Sequence, residues 1–97
     1  MRQKLSDLEI QRALGGLAGR SRRGAGEALV KTFSFERFAD GIAFVDRVAA
    51  VADEMNHHPD IDIRYTKVTM TLSTHDAGGV TKADLTLAER IEGVASV

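Results

Sequence analysis

The stretch "ERFADGIAFVDRVAAVADEMNHHPDIDIRY", residues 36–65, changes its periodicity in the middle, and that change decides the fold. Up to residue 55 the apolar positions Phe38, Ile42, Val45, Ala49 and Ala52 recur at steps of three and four, the spacing of one helix face. Phe44, Val48, Val51 and Met55 widen that stripe. A stripe this wide predicts a helix covered by a sheet on one side and by a further surface, such as another subunit, on the other. The helix is expected to stop at "NHHP", because the residue before a proline is pushed toward extended geometry. Ile61, Ile63 and Tyr65 then alternate on one face of a strand. Two histidines, His57 and His58, therefore fall at a helix-to-strand junction.

On the N-terminal side, "ALVKTFSF" alternates as a strand, with Leu29, Phe33 and Phe35 on one face and Lys31 among them. The Gly- and Arg-rich run before it reads as a loop with a short edge strand at residues 20–23. Ser6 and Glu9 have capping-box spacing, Leu5 and Ile10 are placed as a hydrophobic staple, and a short helix is expected over residues 7–14. On the C-terminal side, Val68, Met70 and Leu72 share a face one residue out of phase with Ile61, Ile63 and Tyr65. A turn or bulge near Thr66 and Lys67 would reconcile the two runs. "DAGG" is a loop, and "TKAD" opens a last helix carrying Leu85, Ala88 and Ile91. The order helix-strand-strand-helix-strand-strand-helix predicts an α+β domain, an antiparallel four-stranded sheet with three helices packed on one face. "KVTMTLS", alternating and free of proline, is the expected free edge for pairing with a second copy.

A chain of 97 residues has room for one modest core, so residues 1–97 are expected to form a single domain. Its formal charge of -1 argues against bulk nucleic-acid binding, and Arg20, Arg22 and Arg23 read as a solvated loop. There are no cysteines, which removes disulfides, thiolate nucleophiles and Cys-type zinc sites. No apolar run approaches the roughly 20 residues of a membrane helix, and "MRQKLSDLEI" lacks the apolar stretch of a signal peptide. Both point to the cytoplasm and away from membranes.

His57, His58 and His75 are the whole supply of a side chain whose ordinary pKa, about 6.5, lets it give and take a proton near neutrality. Three readings are open: polar residues in loops, a metal site, or general acid-base chemistry. Neighbours in extended chain point to opposite sides, so His57 and His58 make an awkward chelating pair. Metal binding ranks below acid-base chemistry on that ground.

An acidic residue, three residues, His-His-Pro, a spacer, an aromatic, nine residues, a His, a spacer and an Asp make the pattern of the pterin-4a-carbinolamine dehydratase family. This chain resembles it through Asp53, His57, His58, Pro59, Tyr65, His75 and Asp84, and through the strings "HHPDIDIRY" and "LSTHDAGG". The resemblance implies elimination of water from 4a-hydroxytetrahydropterin to give quinonoid dihydropterin, in tetrahydropterin recycling, without a metal or organic cofactor. It implies catalysis by His57, His58 and His75, one protonating the leaving hydroxyl and another handling the ring-nitrogen proton. It implies a pterin-binding surface of Asp53, Asn56, His57, His58, Ser73, Thr74, His75 and Asp76. Pro59 and Tyr65 are read as structural, and Asp84 as the cap of the last helix, which alone predicts a loss of about 0.5–2 kcal/mol on Asp84→Ala. Many relatives have tryptophan where this chain has Ile61 and Arg20, and some have arginine where it has Ala83. Relatives form homodimers or homotetramers, and some serve as dimerisation cofactors or assembly factors, so a non-catalytic interaction protein is the alternative.

Overall fold

The computed structural model describes Leu5, Ser6, Leu8, Glu9, the backbone of Ser21–Arg23 and residues 28–95. In chain order the elements are β1 (Ser21–Arg23), β2 (Ala28–Ser34), α1 (Phe38–Met55), β3 (Asp60–Arg64), β4 (Lys67–Leu72) and α2 (Lys82–Ala95), with a 3-10 turn at His75–Ala77. β2, β4 and β3 form a three-stranded antiparallel sheet in that order, and β1 adds only a three-residue strip along β2. The expectation of a four-stranded sheet under three helices is thereby corrected: three strands of five residues or more carry the sheet, and two helices stand among the described residues. Among the described residues the fourth strand is three residues long, and "GRSRRGAG" offers no large apolar side chain to anchor it. The helix expected over residues 7–14 and the staple residue Ile10 lie outside the described residues, except that Leu8 and Glu9 are helical. The α+β class itself stands.

"KVTMTLS" is also not an edge. β4 lies between β2 and β3, with Val68 opposite Phe33 and Ile63, Met70 opposite Lys31 and Ile61, and Leu72 opposite Leu29. Val68, Met70 and Leu72 are fully buried. One-faced alternation is common to central and edge strands, and only pairing across the sheet separates them. Among the described residues the free edge is β3, whose Ile61 and Ile63 share the buried face of β4 yet remain 37% and 40% exposed. The phase change expected near Thr66 is a two-residue turn at Tyr65 and Thr66. Tyr65 takes a positive φ of 52° and is 76% exposed, so it leaves the face that Ile61 and Ile63 share.

Helix α1 lies on the sheet through Gly41, Phe44, Val48 and Ala52. Gly41 permits the approach, since a Cβ there would stand 3.3 Å from Val68 Cγ2 and 3.4 Å from Phe35 Cδ2. Phe44 packs against Phe33 and Phe35, with ring centroids 4.9 and 5.2 Å apart. The buried stripe is therefore rotated from the expected one. Phe38, at 49% exposure, and Ala49 lie outside it, and Ile42 and Val45 are half-buried. Leu87, Ala88 and Ile91 of α2 close the core. Lys31 intrudes on the core face of β2, where Glu92 of α2 meets its Nζ at 2.5 Å and the ring of Phe33 lies 4.8 Å below it.

Candidate active site

Asn56, rather than Pro59, terminates α1. It sits in the left-handed region at φ 50°, its N–H donates to the Asp53 carbonyl, and the N–H of His57 donates to the Ala52 carbonyl. This is a Schellman closure with asparagine in the glycine place. It fixes the backbone at His57, and the extended chain that follows turns successive side chains to opposite sides. His57 is consequently 6% exposed, whereas His58 projects into solvent.

The buried imidazole meets a buried carboxylate. His57 Nε2 lies 2.5 Å from Oδ1 of Asp84, which is 0% exposed. Oδ2 of the same group accepts the Thr81 N–H and the Thr74 hydroxyl, both at 2.8 Å. The bond to the Thr81 N–H is the expected helix cap, so Asp84 does cap α2. What sequence spacing leaves out is the second oxygen, turned to a histidine 27 residues away. His58 has a counterpart on the surface: its Nε2 lies 2.9 Å from Oδ1 of Asp53, with both side chains more than half exposed.

The loop after β4 supplies the opposite wall. Thr74 and Gly79 pair across it in an isolated antiparallel bridge, with the Thr74 N–H 2.9 Å from the Gly79 carbonyl. Gly78 at φ 73° ends the 3-10 turn and gives its N–H to the His75 carbonyl at 3.0 Å. A left-handed residue is required there, and glycine adopts it without steric cost. The turn holds His75 and Asp76 outward. Asn56, His57, His58, Ser73, Thr74, His75 and Asp76 line one cleft of about 300 Å³. A flat bicyclic ligand is compatible with that size.

All three histidines thus reach the same cleft, as do four other residues expected to bind substrate. Thr74 differs in kind, because it is buried and its hydroxyl is taken up by Asp84 and Thr81. Asp53 does not line the cleft and meets it through His58. Pro59 is half-buried between His58 and β3. Ile61 is on β3 away from the cleft lining, Ala83 is half-buried in the first turn of α2, and Arg20 lies outside the described residues. Thr81 is the participant that spacing assigned only to a helix start. Among the described residues no three His, Asp or Glu side chains are gathered as metal ligands, and no helix is long and apolar enough to cross a membrane.

The sequence matches the family model described as pterin 4 alpha carbinolamine dehydratase over residues 3–94. The chain belongs to the pterin-4a-carbinolamine dehydratase family. A protein of Roseiflexus sp. (strain RS-1), provisionally named pterin-4-alpha-carbinolamine dehydratase, is 49% identical over 94 residues, covering 97% of this chain and 99% of the relative. The crystal structure of a transcriptional coactivator/pterin dehydratase from Brucella melitensis superposes with a TM-score of 0.91 at 31% identity, covering 96% of this chain and 99% of that one. A pterin dehydratase-like protein identified as a RuBisCO assembly factor in the alpha-carboxysome gives a TM-score of 0.68, also at 31% identity, over 79% of this chain and 89% of that one.

Proposed function

We propose that this family member is a hydro-lyase that dehydrates a 4a-hydroxytetrahydropterin, with 4a-hydroxytetrahydrobiopterin as the representative substrate, to the quinonoid dihydropterin in the cytoplasm. The ring-nitrogen lone pair pushes out the C4a hydroxyl, an imidazolium protonates that hydroxyl as the carbon-oxygen bond breaks, and an imidazole takes the ring-nitrogen proton. Water and the dihydropterin leave with atoms and charge balanced. The observation that carries this reading is the convergence of His57, His58 and His75 on one cleft, with His57 anchored by a buried carboxylate. Acid catalysis of this kind contributes about a hundred- to ten-thousand-fold. The assay is dehydration of freshly generated 4a-hydroxytetrahydropterin in excess chelator. Wild-type turnover with stepwise loss across His57→Ala, His58→Ala and His75→Ala supports the reading, and full activity in the triple substitution would refute it.

The working form is proposed to be a homodimer or homotetramer. The exposed Ile61 and Ile63 on the free strand β3, and the outer line of Phe38 and Ala49 on α1, are the surfaces that support it. Light scattering that finds a stable monomer at high concentration would overturn this. A second reading, an interaction or assembly protein without turnover, draws on the likeness to the RuBisCO assembly factor. The same dehydration assay separates the two.

A further inference from the structure

We propose that Thr74 and Thr81 are positioning residues whose hydroxyls form a one-way relay, Thr81 to Thr74 to Asp84, that fixes Nε2 of His57 as a protonated nitrogen. The first observation is a diverted cap. In a capping box the first hydroxyl accepts the N–H of the fourth residue. Ser6 does so, 3.2 Å from the Glu9 N–H. Thr81 does not: the Asp84 N–H goes to the Thr81 backbone carbonyl at 3.1 Å, and the Thr81 hydroxyl lies 2.8 Å from Thr74 Oγ1.

The second observation is the direction of the hydrogens. A threonine hydroxyl has one proton, and that of Thr74 is donated to Asp84 Oδ2. Toward Thr81, Thr74 is therefore the acceptor, and Thr81 donates. With the Thr81 N–H also on Oδ2, that oxygen accepts two hydrogen bonds, and the Thr81 hydroxyl supports one of them by donating to Thr74. With Asp84 as a carboxylate, Oδ1 can only accept, so the ring nitrogen 2.5 Å away carries the hydrogen. His57, Thr74, Thr81 and Asp84 are all buried, where a made hydrogen bond is strong and an unmade one costly. The third observation is redundancy. Thr81 Oγ1 is already 3.5 Å from Asp84 Oδ2, close enough to swing in if Thr74 loses its hydroxyl.

The structural part of this inference is independent of the substrate, and its kinetic part rests on the dehydratase reading. The test uses the full-length protein labelled with 15N in its imidazoles. In the wild type at neutral pH, His57 Nε2 should be of the protonated type, and a bare Nε2 overturns the relay whatever the variants do. Thr74→Val and Thr81→Val should each lower turnover no more than about twofold, while the double substitution loses about tenfold at unchanged KM and exchanges the Nε2 proton faster. Thr74→Ser and Thr81→Ser, which keep the hydroxyls, should restore both readouts, as a purely space-filling role would not require. An unchanged Nε2 proton in the folded double variant overturns the proposal. Absence of pterin turnover in the wild type removes the dehydratase reading alone, because the nitrogen spectra still decide the relay.

Discussion

Ser6-Asp7-Leu8-Glu9 and Thr81-Lys82-Ala83-Asp84 are written in the same local pattern, yet the fold puts them to different uses. The first is a reciprocal surface cap: the Ser6 N–H donates to Glu9 Oε1 at 3.0 Å, and the Glu9 N–H returns to Ser6 Oγ at 3.2 Å. The second makes only half of that exchange, because its hydroxyl and one carboxylate oxygen are turned inward to Thr74 and His57. Both lead into helical residues, Leu8 and Glu9 in the first and α2 in the second, but only the second ties its residues to the other half of the cleft. Water competes for the bonds of the exposed box, and burial makes those of the other conditional on every partner being present.

The comparison is tested hardest by Asp84→Ala. Removing the carboxylate strips acceptors from the His57 ring, the Thr74 hydroxyl and the Thr81 N–H at once. Each buried donor left without an acceptor costs about 1–3 kcal/mol, so losing all three should exceed the 0.5–2 kcal/mol of a cap alone. Denaturant unfolding should show that loss at an unchanged m value, with turnover falling in the fraction that remains folded. A loss of cap size only would place Asp84 beside Glu9 and end the contrast.

Gly78→Ala should come next. The site has open space around it, so no clash is involved, and the penalty is that of holding a Cβ-bearing residue at φ 73°. That amounts to about 1–2 kcal/mol. The loop spans the distance from Thr74 to Thr81, so the same substitution should lower turnover through His75 and the relay together. Equal melting temperatures for variant and wild type would show that the loop tolerates rearrangement.

A smaller effect on stability is expected from Asp53→Asn. Asp53 and His58 repeat the His-Asp pairing of the core at the surface, and exposed pairs contribute about 0–1 kcal/mol. Turnover should fall a few fold, and that fall should shrink in high salt, where the exposed pair is already screened. A stability loss as large as that of Asp84→Ala would mean that the position of the pair does not matter.

How much of this could be read beforehand follows the range of the interactions. The helix over residues 38–55, the junction at His57 and His58, and the turn at Thr66 rest on local periodicity, and all were legible. The sequence offers Pro59 as the terminator because a proline is visible there, whereas the left-handed turn of Asn56 is seen only in the backbone. β4 reads as an edge in sequence because its alternation is the same in either position, and the buried stripe of α1 is not legible there because Gly41 decides which side approaches the sheet. In the site, family spacing brought forward the three histidines, but not that His57 is enclosed and His58 open. Asp84 illustrates the limit: the carboxylate does what its spacing predicts, and its second oxygen does what only the fold determines.

The smallest effect should come from Glu9→Gln, and it is the control for all the others. The Glu9 carboxyl is held below the ordinary glutamate value of 4.5, chiefly by the Ser6 N–H and then by the Ser6 hydroxyl, with a minor contribution from Lys82. A depressed carboxyl adds stability that is present above its unfolded pKa and is lost as pH falls through its lower folded pKa. The window therefore lies below pH 4.5, and near neutrality the group is ionised in folded and unfolded chains alike. Full exposure screens the interaction, so the melting temperature of Glu9→Gln should match wild type at neutral pH, with turnover unaltered. Following the Glu9 side-chain carboxyl carbon by NMR should give a midpoint below the ordinary value, which returns toward it in Ser6→Ala. A midpoint at the ordinary value in the wild type would show that the surface box is not closed in solution, and the reciprocal cap against which Thr81 and Asp84 are contrasted would be lost.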